Sequence, residues 1–582
     1  MDKKSQVIEL SYETMQSCMV SINLIWEVFV VKKFSVVLLI LLIAGGLVAF
    51  GGSIKYGGVV NLGGSAPTYV VSNFNPFSPN PDPGVHFVYE PLMYVNPLNG
   101  SIIPFLATSY KWSNGGKELT VVIRKNVKWN DGTEFTPQDV VFTFELLKKY
   151  SALDTNGVWS KLSGLESVKA NGWNVVFKFS HPNIPEYFYI LRTMIVPKHI
   201  WSKIKNPVSF LNSKNPVGTG PFLRKTYSVA NNTEYFTKNP NYWWKGKPYI
   251  DGIRIIGNTS NQAAFLQMIK GETAQNDIAI EKPEKLWVAR GAKTHILFWP
   301  VHSVNLLYMN DAKAPFNNST FRKAIALLIN KRLLEDRAYF GAGGYNISQT
   351  QIVPAQMEKW YDKKLATMDK IYNGYNPEKA IELLNSIGYK KNNSGILSKD
   401  GKPLPTFHIL VGAGWTDFIT MAQIISRELE EAGIRTTIVQ QSYNTYLQQL
   451  MTGNFDMAIG WPPNTGPTPF YAYYSEFNPA FSAPIGKTAI SDYSRYTNPK
   501  ITAALNEFSS SSNSNVQKRA MYKIEKILLT DLPAIVLTTR TGFDLYNSTK
   551  FVGWPTISNP YSNGWNGTGM GMLPVVLSLH LR

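Results

Sequence analysis

The chain has 582 residues, 44% of them hydrophobic and 13% aromatic, with a formal net charge of +18 at pH 7. This composition excludes a disordered chain and predicts more than one folded domain. Lys and Arg are scattered, with no run of five or more, so nucleic acid is not an expected partner; the charge suits an anionic envelope, or an acidic medium that neutralises carboxylates.

The first recognisable element is Lys32-Lys33 followed by the apolar Phe34–Ile54, which contains VVLLILLIAGGLVAF. A basic flank before an apolar core is a secretory signal or a membrane anchor, so residues 1–52 are assigned that role, with a start further upstream than such a signal needs. No Cys follows the apolar core, which argues against a lipoprotein anchor. The next segment, GGSIKYGGVVNLGGS at 51–65, is Gly-rich and reads as a flexible linker, assigned over 53–65. The body is then expected on the outer face of the membrane, secreted or tethered at its N-terminus.

Residues 66–96 are Pro-rich with short extended runs, and 97–216 contain VKWNDGTEFTPQDVVFTFELL. There Asn130-Asp131-Gly132 forms a turn. Thr136 offers an N-cap, Pro137 fits the first helical position and Asp139 lies three residues after the cap. Val140, Phe144 and Leu147 recur at helical spacing. The stretch is scaffold; reading Asp131 and Glu134 as a catalytic carboxylate pair is the weaker alternative. A strand is expected at Trp173–Phe179, a turn at VGTGPF and a short helix around Ala263–Lys270.

From 310 the pattern changes. FRKAIALLINKRLLEDRAYFG reads as one amphipathic helix. NPEKAIELLNSIGY is another, capped by Asn376 with Pro377 at N1 and Gly388 as its stop. The strands FHILVGAG, TTIVQQ and DMAIGW then alternate with the helices TDFITMAQIISRELEEAGI and YNTYLQQLMTGNF, which argues an α/β lobe. A helix from Val516 to Thr530 and the strand AIVLTTR follow.

The single cysteine, Cys18, permits neither a disulfide framework nor a cysteine-based metal site. The seven His form no HExxH and no close pair, and GxxxxGK[ST] is absent. No cofactor, metal or catalytic residue is expected.

Taken in order, PFLATSYKWSNGGKELTVVIRKNVKWNDGTEFTPQDVVFTF, VGTGPF, KNPNYWWKGKP, YMNDAKAPFNNSTFRKAIALLINK, NPEKAIELLNSIGY, LEEAGI and GNFDMAIGW resemble the family 5 extracellular solute-binding proteins of ABC importers. This oligopeptide/dipeptide-binding type includes relatives that bind oligosaccharides. The resemblance implies an α/β, two-lobed periplasmic-binding-protein type II fold with an extra subdomain in lobe I. Carried onto this chain, lobe I is 66–96, 217–309 and 541–582, the extra subdomain is 97–216 and lobe II is 310–540. It implies a monomeric receptor, with no enzymatic activity, that closes on its ligand and docks on the permease subunits of an ABC importer.

Peptide-binding members usually carry an Asp just after the strand that here reads FDMAIGW, to pair with the peptide's α-amino group. This chain continues Pro462-Pro463-Asn464-Thr465-Gly466-Pro467, and no acid follows until Glu476. Aromatics stand there instead, so an oligosaccharide is the first expectation for the ligand. Trp415 and Trp461 are the expected stacking platforms, with Tyr471 beside them, and Asn75, Asn310 and Asp417 the expected hydroxyl partners. Each aromatic has core packing as its alternative, and Asn310 a cap at the lobe junction. A peptide receptor using another acid such as Asp417 is the second reading. A secreted glycosidase, which needs two carboxylates across a cleft, and an envelope adhesin are more distant ones.

Overall fold

The stretch Val59–Gly64, expected to be flexible linker, is the central strand of a seven-stranded sheet in the computed structural model. The structure describes residues 54–64, 70–78, 81–258, 260–344, 347–564 and 570–582; the apolar segment assigned as signal or anchor lies outside the described residues. Val59–Gly64 pairs in parallel with Gly252–Gly257 along its whole length and with Gln275–Asp277 at Leu62. Its glycines answer a need for close approach, which the sequence reading took for flexibility. A Cβ on Gly63 would lie 1.7 Å from Asn276 Oδ1. Asn276 cannot step aside, because it accepts from Asn258 Nδ2 at 2.9 Å and donates to Thr273 Oγ1 at 2.9 Å. Gly63→Ala is therefore expected to lower unfolding free energy by roughly 1–3 kcal/mol, as overpacking does, read from the urea midpoint.

The seven strands run in the order His295–Phe298, Asp544–Asn547, Gln275–Asp277, Val59–Gly64, Gly252–Gly257, Thr233–Lys238, Phe222–Ser228. A second sheet of five runs Thr436–Gln441, Phe407–Gly412, Met457–Gly460, Val301–Met309, Ala534–Thr541. Val301–Met309 was expected in the first lobe, but it is hydrogen-bonded between Met457–Gly460 and Ala534–Thr541 of the second sheet. Among the described residues the chain crosses between these sheets twice, at Trp299-Pro300 and at Gly542-Phe543. The crossings lie side by side, with Gly542 N–H donating to Pro300 O at 3.1 Å.

Within 97–216 a separate antiparallel sheet runs Ala107–Ser113, Glu118–Ile123, Asn174–Phe179, Leu165–Asn171. The helix Pro137–Lys149 packs on it and starts as its sequence requires. The Asp139 carboxylate accepts from the Thr136 backbone N–H at 2.8 Å and, through its other oxygen, from Lys198 N–H at 3.0 Å. Asp131 accepts from Thr133 N–H and meets His199 Nε2 at 2.7 Å, a turn contact rather than a catalytic pair with Glu134.

In the second half the expected long helix is two, Ser319–Leu328 and Lys331–Ala338. Ile329 is extended, and Asn330 caps the second helix by accepting from Leu333 N–H at 3.1 Å. An Asn that serves its neighbour's backbone outcompetes a continuous helical pattern. Asn376 caps Pro377–Ser386 through Lys379 N–H at 3.0 Å. Helices Thr416–Glu431 and Tyr443–Thr452 alternate with the parallel strands Phe407–Gly412, Thr436–Gln441 and Met457–Gly460. The apolar C-terminal MLPVVLS forms a buried seven-residue helix, and no described helix is long and apolar enough to cross a membrane.

Candidate functional site

The loops at the carboxyl ends of parallel strands are where an open α/β sheet presents its backbone and side chains to a ligand. Two such loops matter here, after Phe407–Gly412 and after Met457–Gly460. The second runs through Pro462-Pro463-Asn464-Thr465 and closes one side of a cavity of about 280 Å³. The other walls come from the opposite half of the protein: Phe77 and Val85, Asp154, and the helix residues Phe188, Tyr189 and Arg192. The cavity is therefore built mostly on the first half and is closed over by Asn464 and Thr465 of the second.

Tyr471 joins the two halves. Its hydroxyl donates to Pro185 O at 3.0 Å, and its ring lies 4.7 Å from Phe188 and 5.9 Å from Tyr189. Gly466 makes room for it, since a Cβ there would sit 2.4 Å from the Tyr471 ring. One turn further, Tyr474 faces a groove of about 840 Å³ shared with Leu162, His181 and Asn183.

Charge in the cavity is sparse. Asp154 accepts from Val158 N–H at 3.0 Å and Trp159 N–H at 2.8 Å, and burial still raises its pKa. Arg192 is partly buried, with its guanidinium 4.5 Å from the Phe188 ring centroid, and burial lowers its pKa.

Three of the expected site residues meet in a second cluster. Trp415 and Trp461 lie 5.5 Å apart with Phe418 against both. Gly412 lets the Trp415 indole lie on the strand, because a Cβ there would come within 2.4 Å of it. Arg540, which sequence reasoning missed, stacks 4.2 Å over Trp461. Asp417 is partly buried beside them; burial raises its pKa and Arg540 opposes that. The indoles thus meet at a tilt of 50°, with the cation on Trp461, and both remain partly exposed.

The other expected residues are placed elsewhere. Asn75 is buried, and its amide holds the loop beside the cavity. Nδ2 donates to Pro207 O at 3.0 Å and Phe210 O at 3.1 Å, and Oδ1 accepts from Phe77 N–H at 3.0 Å. Asn310 is fully buried at the far end of the second sheet from Trp461, donating to Gly453 O and Phe455 O. Both amides spend their bonds on backbone and have none spare for a ligand hydroxyl, in contrast to the role the sequence reading gave them. Phe77, Arg192 and Arg540 had no sequence signal beyond their residue type. No group of three or more metal-binding side chains occurs among the described residues.

Residues 101–482 match the family profile described as bacterial extracellular solute-binding proteins, family 5 Middle. The oligopeptide-binding protein AppA of Bacillus subtilis is 26% identical over 383 residues, 64% of this chain and 67% of that protein. The nickel-binding periplasmic protein of Escherichia coli is 26% identical over 412 residues, 66% of this chain and 72% of that one. Among solved structures, the mannohexaose-bound periplasmic oligopeptide-binding protein of a Thermotoga maritima ABC transporter superposes with a TM-score of 0.76 at 28% identity. It covers 91% of this chain and 99% of its own.

Proposed function

From the premise that the chain belongs to the bacterial extracellular solute-binding proteins of family 5, a non-catalytic receptor of an ABC importer with the two-lobed α/β fold and a place outside the cytoplasmic membrane, we propose that its cargo is a short peptide. The observation that carries this reading is the cavity between the Phe77, Phe188 and Arg192 walls and the Asn464-Thr465 loop. It is compact and mostly polar, with Phe77 and Phe188 as apolar contacts and with Asp154 and Arg192 as charges of both signs, which suits the backbone and charged ends of a short peptide. The names of AppA and of the Thermotoga receptor, both oligopeptide-binding, support the same class. In this reading lobe I is built on the seven-stranded sheet, residues 97–216 are its added subdomain, and lobe II is built on the five-stranded sheet. Ligand stabilises the closed form because only that form touches it from both lobes, and a monomer in that form meets the permease subunits.

An oligosaccharide is the second reading, favoured by mannohexaose in the Thermotoga structure and by the exposed edges of Trp415 and Trp461. A thermal-shift panel separates the two. A ligand that binds only the folded protein at 100 times its Kd adds about 2.7 kcal/mol of stability. Di- and tripeptides are expected to raise Tm by about a degree or more, and manno- and cello-oligosaccharides to leave it unchanged. The reverse pattern would replace the peptide with a sugar and move the site to the tryptophan cluster.

A further inference from the structure

Three of the buried glutamates are held by partners from their own half of the protein. Glu90 accepts from Tyr242 and Trp243, Glu476 from Tyr308, and Glu525 from Asp362 N–H. Parting the lobes leaves these bonds in place.

Glu186 lies instead where the two halves touch. It ends the turn Ile184–Glu186, which leads into the helix Tyr187–Arg192. The carbonyl next to it, Pro185 O, accepts from Tyr471 of the helix Phe470–Phe477 at 3.0 Å, and the Tyr471 ring packs on Phe188 at 4.7 Å. Glu186 itself is 6% exposed. Asn183 Nδ2 donates to its Oε2 at 3.2 Å, and its Oε1 is shut away from solvent.

The groups around this carboxyl supply no counter-charge. Asp154 repels a charge there, Ser163 and Asn183 offer neutral dipoles, and Tyr189, Tyr471 and Tyr474 are phenols that burial keeps neutral. Arg192 acts on Tyr189 and Tyr471, and the exposed Lys161 and His181 line the groove beyond Asn183, but none of the three acts on Glu186. An ionised carboxylate enclosed without a cation is unfavourable. Burial therefore dominates and pushes the Glu186 carboxyl up to about 8.

We propose that Glu186 is a proton switch on closure: its carboxyl takes up a proton from solvent as lobe II covers it and returns the proton as the lobes part, so that acid favours the closed form and alkali opens it. This rests on the reading of the chain as a receptor that closes, and holds whether the cargo is a peptide or a sugar. When the helix Phe470–Phe477 withdraws, water reaches the carboxyl and its pKa falls back towards the ordinary 4.5. The closed-form value is the raised one, so the contribution to closure is complete below about 4.5. It weakens by about tenfold per pH unit above that, and is spent once pH passes about 8. Tyr471 supplies the bond and ring that carry lobe II onto the turn, and Glu186 makes that contact conditional on a proton.

The test is small-angle X-ray scattering on the ligand-free protein at pH 5 and pH 9, with hydrogen–deuterium exchange corrected for the intrinsic effect of pH. The radius of gyration is expected to grow from pH 5 to pH 9. Protection should fall in 184–192 and in Phe470–Phe477, the two faces of the contact. Glu186→Gln, which keeps an acceptor for Asn183 and carries no charge, should stay compact at both pH values. An unchanged radius in the wild type overturns the inference, and so does growth of equal size in Glu186→Gln. Exchange that rises equally through the cores of both lobes also overturns it, because it reports unfolding rather than opening. Should the glutamine variant not fold, the location of the exchange in the wild type decides. No ligand enters the experiment, so its outcome leaves the choice between peptide and sugar to the thermal-shift panel.

Discussion

Replacing Arg224 with methionine is expected to cost roughly 3–5 kcal/mol at neutral pH, the range seen when one partner of a buried ion pair is removed. Arg224 and its two carboxylates are almost wholly buried, with side chains 2% and 0% exposed. Its Nη2 also donates to Val71 O at 3.1 Å, and its plane lies 4.4 Å from Phe74 and 3.8 Å from Tyr227. Asp82 in turn accepts from Val71 N–H at 3.0 Å and Gly84 N–H at 2.8 Å. Burial, with the neighbouring Asp82 charge, pushes the Glu234 carboxyl well above the usual range, so the pair shares a proton and presents one net charge to the arginine. Methionine fills the volume but leaves that charge alone in the core. The deficit should shrink as pH falls, because burial raises both carboxyls and protonation removes their charge, and Asp82→Asn with Glu234→Gln should recover most of it. Urea unfolding at pH 4 and pH 7 measures both. A deficit unchanged by pH would show that packing against Phe74 and Tyr227, not charge, is what the arginine supplies. The same loop carries Phe77 into the cavity, so a folded variant should also bind its ligand less tightly.

The wild-type protein is expected to be most stable on the acid side of neutrality and to lose stability between pH 5 and pH 8. Burial pushes Glu186, Glu476 and Glu525 up to about 8, and Glu90 up to about 7. Each folded-state value lies above the unfolded one, near 4.5. The stabilising contribution is therefore complete below that unfolded value and fades as pH rises through 7 to 8. Two histidines, one fully and one partly buried, act the other way, since desolvation lowers His86 to about 3 and His302 to about 4. Lys331, lowered by burial to about 7, opposes the loss above that pH. The acids outnumber these groups, so the net slope is downward, on the order of several kcal/mol across the interval. Melting curves from pH 4 to 9 should show it. Glu476→Gln is the specific check: the Tyr308 hydroxyl that donates to Glu476 at 2.8 Å finds the same acceptor in the amide. That variant should melt higher than wild type at pH 8 and equal it at pH 5; equal curves at both would mean Glu476 is not held protonated.

Parts of the molecule were legible for local reasons. Capped helices such as Pro377–Ser386 announce themselves, because the cap, the N1 proline and the stopping glycine lie within a dozen residues. Trp415 and Trp461 were each expected as stacking platforms, and the structure brings them together across 46 positions because each follows a strand and the two strands are parallel neighbours. Val59–Gly64 was misread because the reason for Gly63 is a side chain at position 276, which no local pattern contains. Arg192 was invisible for the same kind of reason. Its distinction is a buried Nε with no acceptor among the described residues, and YILRTMIV looks like any half-buried helix end. Asn75 and Asn310 show the converse, polar side chains whose carbonyl partners come from distant segments and consume them.

The two adjacent crossings, Trp299-Pro300 and Gly542-Phe543, have a practical consequence. They are tied to each other by the Gly542–Pro300 bond, and Phe543 N–H is fixed to Asp277 Oδ1 at 3.1 Å. Among the described residues these are the two places where the chain passes between the sheets, so movement of one lobe against the other turns on this two-stranded strap. A molecule with such a strap is a ready-made gauge. Two dyes, one on each lobe at exposed positions such as Leu266 and Tyr443, would convert occupancy into a change in energy transfer without touching the cavity.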